Sequence, residues 1–146
     1  MAWAQEPATE ASIATFLAQA VADFDDGSNF NYAIVERDET AQSERIVGGC
    51  GLHKRLVEPG AIEIGYWVHV DHVRRGIATA AAVALRQEAS SVGIDRVEIH
   101  CDEGNAASAA VARRAGFELV RTDHRPARTP SESDREMIWR SASRAD

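Results

Sequence analysis

Two arginines and a glycine, Arg74, Arg75 and Gly76, are the residues of this sequence whose types best suit the binding of an anion. A helix that begins just after Gly76 would offer its first backbone N–H groups, which lack partners inside the helix, and the positive end of its dipole. Glycine has no Cβ to block a ligand, and two guanidinium groups can reach the oxygens of a phosphate. The spacing therefore favours a phosphate site at the start of a helix. The alternative interpretation is a basic turn that lies in solvent.

The residues on either side of this turn predict the elements that would position it. From Ile62 to Val70 apolar residues alternate with other types, which is the period of a strand with one face against a core. From Ile77 to Ala89 apolar residues recur at intervals of three and four, which is typical of an amphipathic helix. A strand, a basic turn and a helix are thus predicted to follow one another.

The run IEIGYWVHVDHVRRGIAT, followed later by NAASAAVARRAGFE, resembles the GNAT family of N-acetyltransferases, in particular its ribosomal-protein N-terminal acetyltransferase branch. The resemblance covers about Ile46 to Trp139. It implies that the turn holds the pyrophosphate of acetyl-CoA, which would be the co-substrate, with no metal. The family pattern at the turn is Gln or Arg, two residues, Gly, one residue, then Gly or Ala. Gly76 and Ala78 fit this pattern, whereas Val73 stands where the family has Gln or Arg.

The resemblance also implies which residues bind the cofactor. The pantetheine arm would run beside the strand backbone near its end, and the phosphates would meet the turn and the first helical residues. Considered without the resemblance, Val68 and Val70 are expected in the core. The predicted cofactor-binding residues are Trp67, Val68, His69, Val70, Arg74, Arg75, Gly76, Ile77, Ala78, Thr79 and Asn105.

Glu63 is the candidate general base. It stands on the predicted strand, on the face opposite Ile62 and Ile64. The alternative interpretation is a solvated strand carboxylate. His53 and His69 are rival bases, although histidines in such positions are often structural.

Ser108 is the candidate acid. The resemblance implies that it lies near the sulfur of acetyl-CoA, and that Asn105 bonds the cofactor arm; without the resemblance the two are a turn residue and a helix-start residue. Many family members instead place a tyrosine in this helix, but the two tyrosines here, Tyr32 and Tyr66, lie outside it. A thiol with a pKa of about 8.5 can also leave without an acid.

The acceptor is predicted to be a primary amine. An α-amine with a pKa of about 8 is roughly a tenth neutral at pH 7, whereas a lysine of pKa about 10.4 is neutral about four times in ten thousand. A protein amino terminus or a small amine is therefore the easier acceptor. An aminoglycoside or other xenobiotic amine is an alternative, and so is a non-catalytic acyl-CoA-binding module. The resemblance places the acceptor pocket in Ala18 to Phe30 and Thr122 to Asp134.

Length and composition favour a single domain over residues 1–146, and the resemblance implies that it is an N-acetyltransferase domain. A net charge of −7 argues against nucleic acid as a partner. Cys50 and Cys101 lack the spacing of a metal site and are expected to be small buried residues. The sequence has no run long enough to span a membrane and no visible secretory signal, which predicts a cytoplasmic protein.

The predicted fold is α/β, a single mixed central sheet flanked by helices, as the GNAT resemblance also implies. Glycines at 48, 49 and 51 predict a bulge or the close approach of another group. Family members usually begin with a further strand and helix that this chain is expected to lack, which would expose a sheet edge. An exposed edge predicts a homodimer or a natural start upstream. The remaining predicted elements are helices at Pro7 to Phe24 and Ala107 to Ala115, strands at Asn31 to Arg37, Ile46 to Leu52, Arg96 to Cys101 (parallel to the central strand), Phe117 to Thr122 and Arg135 to Arg140, and a loop at Arg121 to Asp134.

Overall fold

The protein is built on one mixed sheet in the computed structural model, which describes residues 8–54 and 59–141. The strand order in these residues is β1-β2-β3-β4-β6-β5; β3 and β4 run parallel and the other neighbours antiparallel. This confirms the predicted fold class. The strands are β1 (Asn29–Asp38), β2 (Ser43–His53), β3 (Ala61–Val68), β4 (Arg96–Asp102), β5 (Phe117–His124) and β6 (Arg135–Ser141), and the helices are α1 (Glu10–Asp26), α2 (Ile77–Ser91) and α3 (Ala106–Arg114).

A capping box of two side chains, Thr9 and Ser12, forms hydrogen bonds with backbone amides at the start of α1. Thr9 Oγ1 accepts a hydrogen bond from the Ser12 N–H at 3.1 Å, and Ser12 Oγ accepts one from the Thr9 N–H at 2.9 Å. Gly27, with φ of 74°, ends the helix. The predicted start at Pro7 lies outside the described residues.

Strand β3 ends two residues earlier than predicted. The His69 N–H donates to the Val47 carbonyl at 2.8 Å, and the chain then turns through a short 3-10 helix, Val70–His72. His69 Nδ1 accepts from the Asp71 N–H at 3.3 Å and stabilises this turn. Val70 is 73% exposed, so the predictions of a strand to Val70 and of a core position for its side chain are wrong. The strand does not continue to Val70 because the His69 side chain caps the turn that follows Val68.

The predicted loop from Arg121 is wrong for its first four residues, because β5 continues to His124 and pairs with β6 as far as Arg135. Arg121 Nε donates to Asp123 Oδ2 at 2.8 Å. Arg121 and Asp123 are two positions apart, so their side chains lie on the same exposed face of β5 and form an ion pair there. Polar composition alone therefore did not distinguish the strand from a loop.

The core lies between one face of the sheet and helices α2 and α3. Ile62 and Ile64 of β3 are 1% exposed, and Ala82 and Ala112, one from each helix, are fully buried. Small residues at these helix positions let the backbones pack close to the sheet. Cys101 is a buried free thiol, as predicted, and Cys50 is half-buried.

Strands β3 and β4 are joined along only part of their length. Three residue pairs connect them, Ala61 with Arg96, Ile62 with Val97, and Glu63 with Glu98. Beyond Glu63, β3 pairs with β2 alone and β4 pairs with β6 alone. The two strands are therefore unpaired with each other toward their carboxyl-terminal ends, and we call the gap between these ends, where β3 leads into α2, the cleft.

The described sheet has β1 at one edge and β5 at the other. Whether β1 pairs with a second copy stays a prediction. Among the described residues, no helix combines the length and apolar character that crossing a bilayer requires.

Candidate active site

The start of α2 leaves backbone amides open. The Ala80 N–H donates to the Gly76 carbonyl at 2.9 Å, so the amides of Ile77, Ala78 and Thr79 precede the first bond of the helix. Gly76 has a φ of 78° and no side chain to cap them. A Cβ at Gly76 would meet no atom within 4 Å. Glycine is therefore needed here for its left-handed backbone, and the space in front of the amides is open to an anion.

The two arginines at this turn differ in their surroundings. The Arg75 guanidinium donates to Glu36 Oε1 and lies 2.9 Å from His72 Nδ1. The hydrogen bond from Arg75 lowers the pKa of Glu36. Arg74 is exposed and has a φ of 61°. One of the two predicted phosphate ligands, Arg75, is thus held by an acidic neighbour.

A shallow cavity of about 210 Å³ lies beside this turn. Its lining combines apolar side chains with one ion pair. The lining residues are Ile34, Val35, Glu36, Val47, Arg75 and Ile77.

Tyr66 and Ser108 meet across the cleft. The Tyr66 hydroxyl lies 2.8 Å from Ser108 Oγ and 3.3 Å from the Ser108 carbonyl oxygen. Burial raises the pKa of Tyr66 to about 12, although the hydrogen bond with Ser108 opposes the shift. The sequence-based interpretation set Tyr66 aside because it is not in α3. The signal that could have found it is the alternation that places it on the same strand face as Ile62 and Ile64, toward the helices.

Asn105 caps α3. Its Oδ1 accepts a hydrogen bond from the Ser108 N–H at 3.0 Å. The residue is exposed, and its side-chain NH₂ group is not used in that cap. Asn105 thus lies at the turn and Ser108 at the helix start, as the alternative interpretation had them, and a contact of Asn105 with a cofactor arm stays a prediction.

Cys101 lies in the same cluster as Ser108. Burial raises the pKa of the Cys101 thiol, and the neighbouring Ser108 side chain opposes part of this rise. The Ser108 hydroxyl therefore lies between a phenol and a sulfur atom.

The opposite face of the sheet carries Glu63 of β3 and three glycines covered by rings, Gly49, Gly51 and Gly65, which we call the glycine floor. Glu63 is half-buried and pairs with His53 of β2 and Glu98 of β4. The His53 ring lies over Gly51 and Gly65, since a Cβ on either would come within 3.0 or 3.1 Å of its Nε2. These contacts confirm the close approach that the β2 glycines predicted.

Trp67 lies on the same face and leans over β2. A Cβ at Gly49 would be 2.5 Å from the Trp67 Nε1, so only glycine fits beneath the ring. Trp67 is 38% exposed. The bulge that was the other predicted role of these glycines also occurs. Ile34 pairs with Gly48 and Val35 with Ile46, so Val47 of β2, next to Gly48, is the extra residue.

Glu98, beside Glu63, is a buried charge with several partners. It is 2% exposed; Arg140 Nη2 and His100 Nε2 each lie 2.8 Å from its carboxylate, and Arg96 Nε lies at 3.4 Å. Burial acts to raise the pKa of Glu98, but the hydrogen bonds with His100 and Arg140 outweigh it and lower the pKa. This cluster was not predicted. Its signal was the alternation of Arg96, Glu98 and His100 along one strand.

Val68 and His69 of the predicted cofactor strand lie at its end. Val68 is half-buried at the end of β3, and the His69 N–H is already donated to Val47. In residues 8–54 and 59–141 no group of three or more His, Cys, Asp or Glu side chains is arranged to hold a metal ion.

Solved structures of acetyltransferases share this fold. The microcin C7 self-immunity acetyltransferase MccE, in complex with acetyl-CoA and AMP, is 24% identical with a TM-score of 0.84, and the match covers 97% of this chain and 76% of MccE. The ribosomal L7/L12 α-N-protein acetyltransferase RimL, in complex with CoA, is 21% identical with a TM-score of 0.78, over 95% and 76% of the two chains. The ribosomal-protein-S5-alanine acetyltransferase of Vibrio fischeri is 16% identical with a TM-score of 0.74, over 95% and 78%.

No curated protein matches the chain in sequence. The family model described as the acetyltransferase (GNAT) domain matches residues 1–118. That range contains β1 to β4, α2 and α3, and therefore every residue of the cleft described above. The chain belongs to the acetyltransferase (GNAT) domain family, as its sequence resemblance predicted.

Proposed function

We propose that this acetyltransferase moves the acetyl group of acetyl-CoA to a primary amine by direct attack, the acceptor being a protein amino terminus or a small-molecule amine. The observation that carries the proposal is the cleft between β3 and β4, which opens beside the uncapped start of α2. A ligand with a phosphate at one end and an extended arm at the other fits this arrangement. The related MccE and RimL structures contain acetyl-CoA and CoA.

The pyrophosphate would bind the amides of Ile77, Ala78 and Thr79, with Arg74 and Arg75 at its oxygens. These amides are the open ones at the α2 start, which supports the assignment. Val73 need not contribute, because backbone amides supply the contacts.

The pantetheine arm would lie along β3 near Trp67 and Val68, where the strand has lost its β4 neighbour, and would reach the Asn105 side chain. An extended arm can replace the missing strand as a hydrogen-bonding partner. The His69 N–H already has the Val47 carbonyl as its acceptor, so His69 and Val70 would touch the arm through other atoms.

Glu63 would remove the proton from the acceptor amine, directly or through water. As the amine attacks, the C–N bond forms, the C–S bond breaks and the electron pair leaves with the sulfur. Glu63 sits at the last joined pair of β3 and β4, where the cleft begins. Its charge would also attract a cationic acceptor. His53, on the glycine floor beside Glu63, is the rival base, whereas His69 already serves the turn after β3.

Ser108 would stand at the sulfur. It is half-buried at the start of α3, and it can donate a hydrogen bond to the leaving thiolate. The alternatives are acetylation of an aminoglycoside or other xenobiotic amine, and acyl-CoA binding without transfer.

The cell compartment and assembly belong to the proposal as well. The net charge of −7 supports a protein without nucleic-acid partners, and a cytoplasmic location is part of the proposal. A homodimer through the β1 edge is supported by exposed apolar side chains at or beside it, Val35 of β1 at 44% and Ile46 of the neighbouring β2 at 64% exposure. Light scattering that gives a stable monomer would contradict the dimer.

The test is acetyl-CoA titration by calorimetry, followed by CoA release with peptides bearing free amino termini, small amines and aminoglycosides. We expect micromolar binding and release with at least one amine. Glu63→Gln should lower kcat by about 10²- to 10⁴-fold, the contribution of a general base, without changing acetyl-CoA affinity. Binding without release for any amine would favour the non-catalytic module, and full activity of the variant would leave His53 as the base.

A further inference from the structure

We propose that Tyr66 is a positioning residue for Ser108: its phenol donates a hydrogen bond to Ser108 Oγ and so directs the serine O–H toward the sulfur of the bound cofactor. The inference rests on the proposed function. It assigns a role to a side chain that no sequence motif had indicated.

The hydrogen bond between Tyr66 and Ser108 lies in the cleft, where a residue that orients Ser108 toward the cofactor has to be. Tyr66 comes from β3 beyond the last pair with β4, and Ser108 comes from the first turn of α3, so the 2.8 Å contact bridges the cleft. The Tyr66 ring packs against the hydrophobic core. A packed ring fixes its hydroxyl more precisely than a serine side chain alone can be fixed.

The chemistry of the two hydroxyls decides which one donates. A phenol is a much stronger acid than an aliphatic alcohol and is the better hydrogen-bond donor. Both oxygens within reach of the phenol, Oγ at 2.8 Å and the carbonyl oxygen at 3.3 Å, belong to Ser108, and the shorter contact is to Oγ. When Oγ accepts from Tyr66, the proton of the serine hydroxyl is available to another acceptor.

A sulfur atom already lies beside this hydroxyl. Burial raises the pKa of the Cys101 thiol, and the Ser108 side chain opposes part of that rise. The sulfur of a cofactor in the cleft would offer the same kind of acceptor with more charge as the thiolate forms. Two hydrogen bonds in series, from phenol to serine to sulfur, strengthen each other.

Tyr66 acts in this scheme as a hydrogen-bond donor and keeps its proton. The pKa of Tyr66 is raised to about 12, above the value of about 8.5 for a thiol, so transfer of its proton to a thiolate would be uphill. The thiolate leaves with the electron pair of the C–S bond, and the hydrogen bond from Ser108 stabilises it. Here a tyrosine of a strand reaches the serine of a helix.

The test compares binding of CoA with binding of desulfo-CoA, which lacks the sulfur atom, by calorimetry at about pH 9, where more than half of a thiol of pKa about 8.5 is ionised. A hydrogen bond to a charged group corresponds to about a tenfold or greater preference for CoA, and we expect this in the wild type. Tyr66→Phe should reduce the preference to about threefold or less, and Ser108→Ala should abolish it. The double variant should match Ser108→Ala, because Tyr66 acts through Ser108.

Tyr32→Phe is the matched control, since Tyr32 is an exposed tyrosine of β1, and it should keep the full preference. Affinity for desulfo-CoA should be the same in all variants. Equal binding of both ligands by the wild type, or a full preference in Tyr66→Phe, would overturn the inference and leave the proposed function intact. A fall in desulfo-CoA affinity in Tyr66→Phe would show a structural role instead. Failure to bind either ligand would overturn the proposed function and the inference with it.

Discussion

Helices α2 and α3 begin on either side of the same cleft, but a side chain caps the first backbone amides of α3 only. At α3 the Asn105 side chain accepts from the Ser108 N–H, whereas at α2 Gly76 leaves the amides uncapped. Glycine in a cap position costs only a few tenths of a kcal/mol relative to a capping side chain. An uncapped helix start is therefore compatible with a stable fold. The start of α2 can bind an anion, whereas the capped start of α3 contributes to the stability of the fold.

The largest effect should come from Gly76→Asp. A carboxylate at the open start of α2 would face the pyrophosphate, and two like charges about 4 Å apart near a protein surface repel by about 4 kcal/mol. We expect acetyl-CoA affinity, measured by calorimetry, to fall by at least about 100-fold.

Gly93→Asp is the matched control for this variant. Gly93 lies just beyond the other end of α2 and has a φ of 82°, and a Cβ there would also meet no atom within 4 Å. Both variants place a charged L-residue in a left-handed backbone, which costs about 1–2 kcal/mol. Gly76→Asp should lose less stability than Gly93→Asp, because its carboxylate can cap the open amides of α2. Unchanged affinity in Gly76→Asp, or an equal loss in Gly93→Asp, would show that the phosphate does not bind at Gly76.

At α3 the two roles of Asn105 can be separated. Asn105→Asp keeps an oxygen that can cap the helix, so thermal unfolding should change little, whereas Asn105→Ala should lose about 1 kcal/mol of stability. Both lose the side-chain NH₂ donor, and acetyl-CoA affinity should fall about five- to tenfold in each, as for one hydrogen bond. If Asn105→Asp binds acetyl-CoA like the wild type, Asn105 only caps the helix.

The smallest effect concerns Glu36, which holds Arg75 beside the α2 start. Glu36→Gln should release the guanidinium and tighten acetyl-CoA binding about two- to threefold, and salt should screen the difference. Weaker binding in this variant would show that Glu36 orients Arg75 for the ligand.

The pH dependence of this ion pair has a definite sign. The hydrogen bond from Arg75 lowers the pKa of Glu36 in the folded protein. The pair therefore contributes to stability above the ordinary glutamate pKa of about 4.3, and the contribution is lost as pH falls through the lower folded value. Above that range Arg75 remains engaged, so acetyl-CoA binding between about pH 6 and 8 should not change through Glu36.

The sequence predicted the elements around Gly76 because local rules determine them. Alternation placed Ile62 and Ile64 in the core, and the change of period at Ile77 placed the start of α2. Local rules also indicated that something approaches the glycines of β2, but not that it is the rings of Trp67 and His53.

What the sequence could not supply were contacts between distant segments. Tyr66 and Ser108 are 42 positions apart, and so are Glu98 and Arg140, and both contacts exist only because the sheet brings their strands and helices together. The end of β3 was mispredicted for a related reason. His69 is fixed by a hydrogen bond to Val47 of β2 and by its own ring, which the alternation of neighbouring residues does not report.

The short junction between β3 and β4 has a thermodynamic consequence. Three residue pairs join the half-sheet β1-β2-β3 to the half-sheet β4-β6-β5, so a molecule lying in the cleft would act as a shared partner of both halves. Ligand occupancy and the folding equilibrium are then linked, and a cofactor at about 100 times its dissociation constant adds about 2.7 kcal/mol to the free energy of unfolding. The lifetime of the folded enzyme in a cell would accordingly rise and fall with its supply of acyl donor.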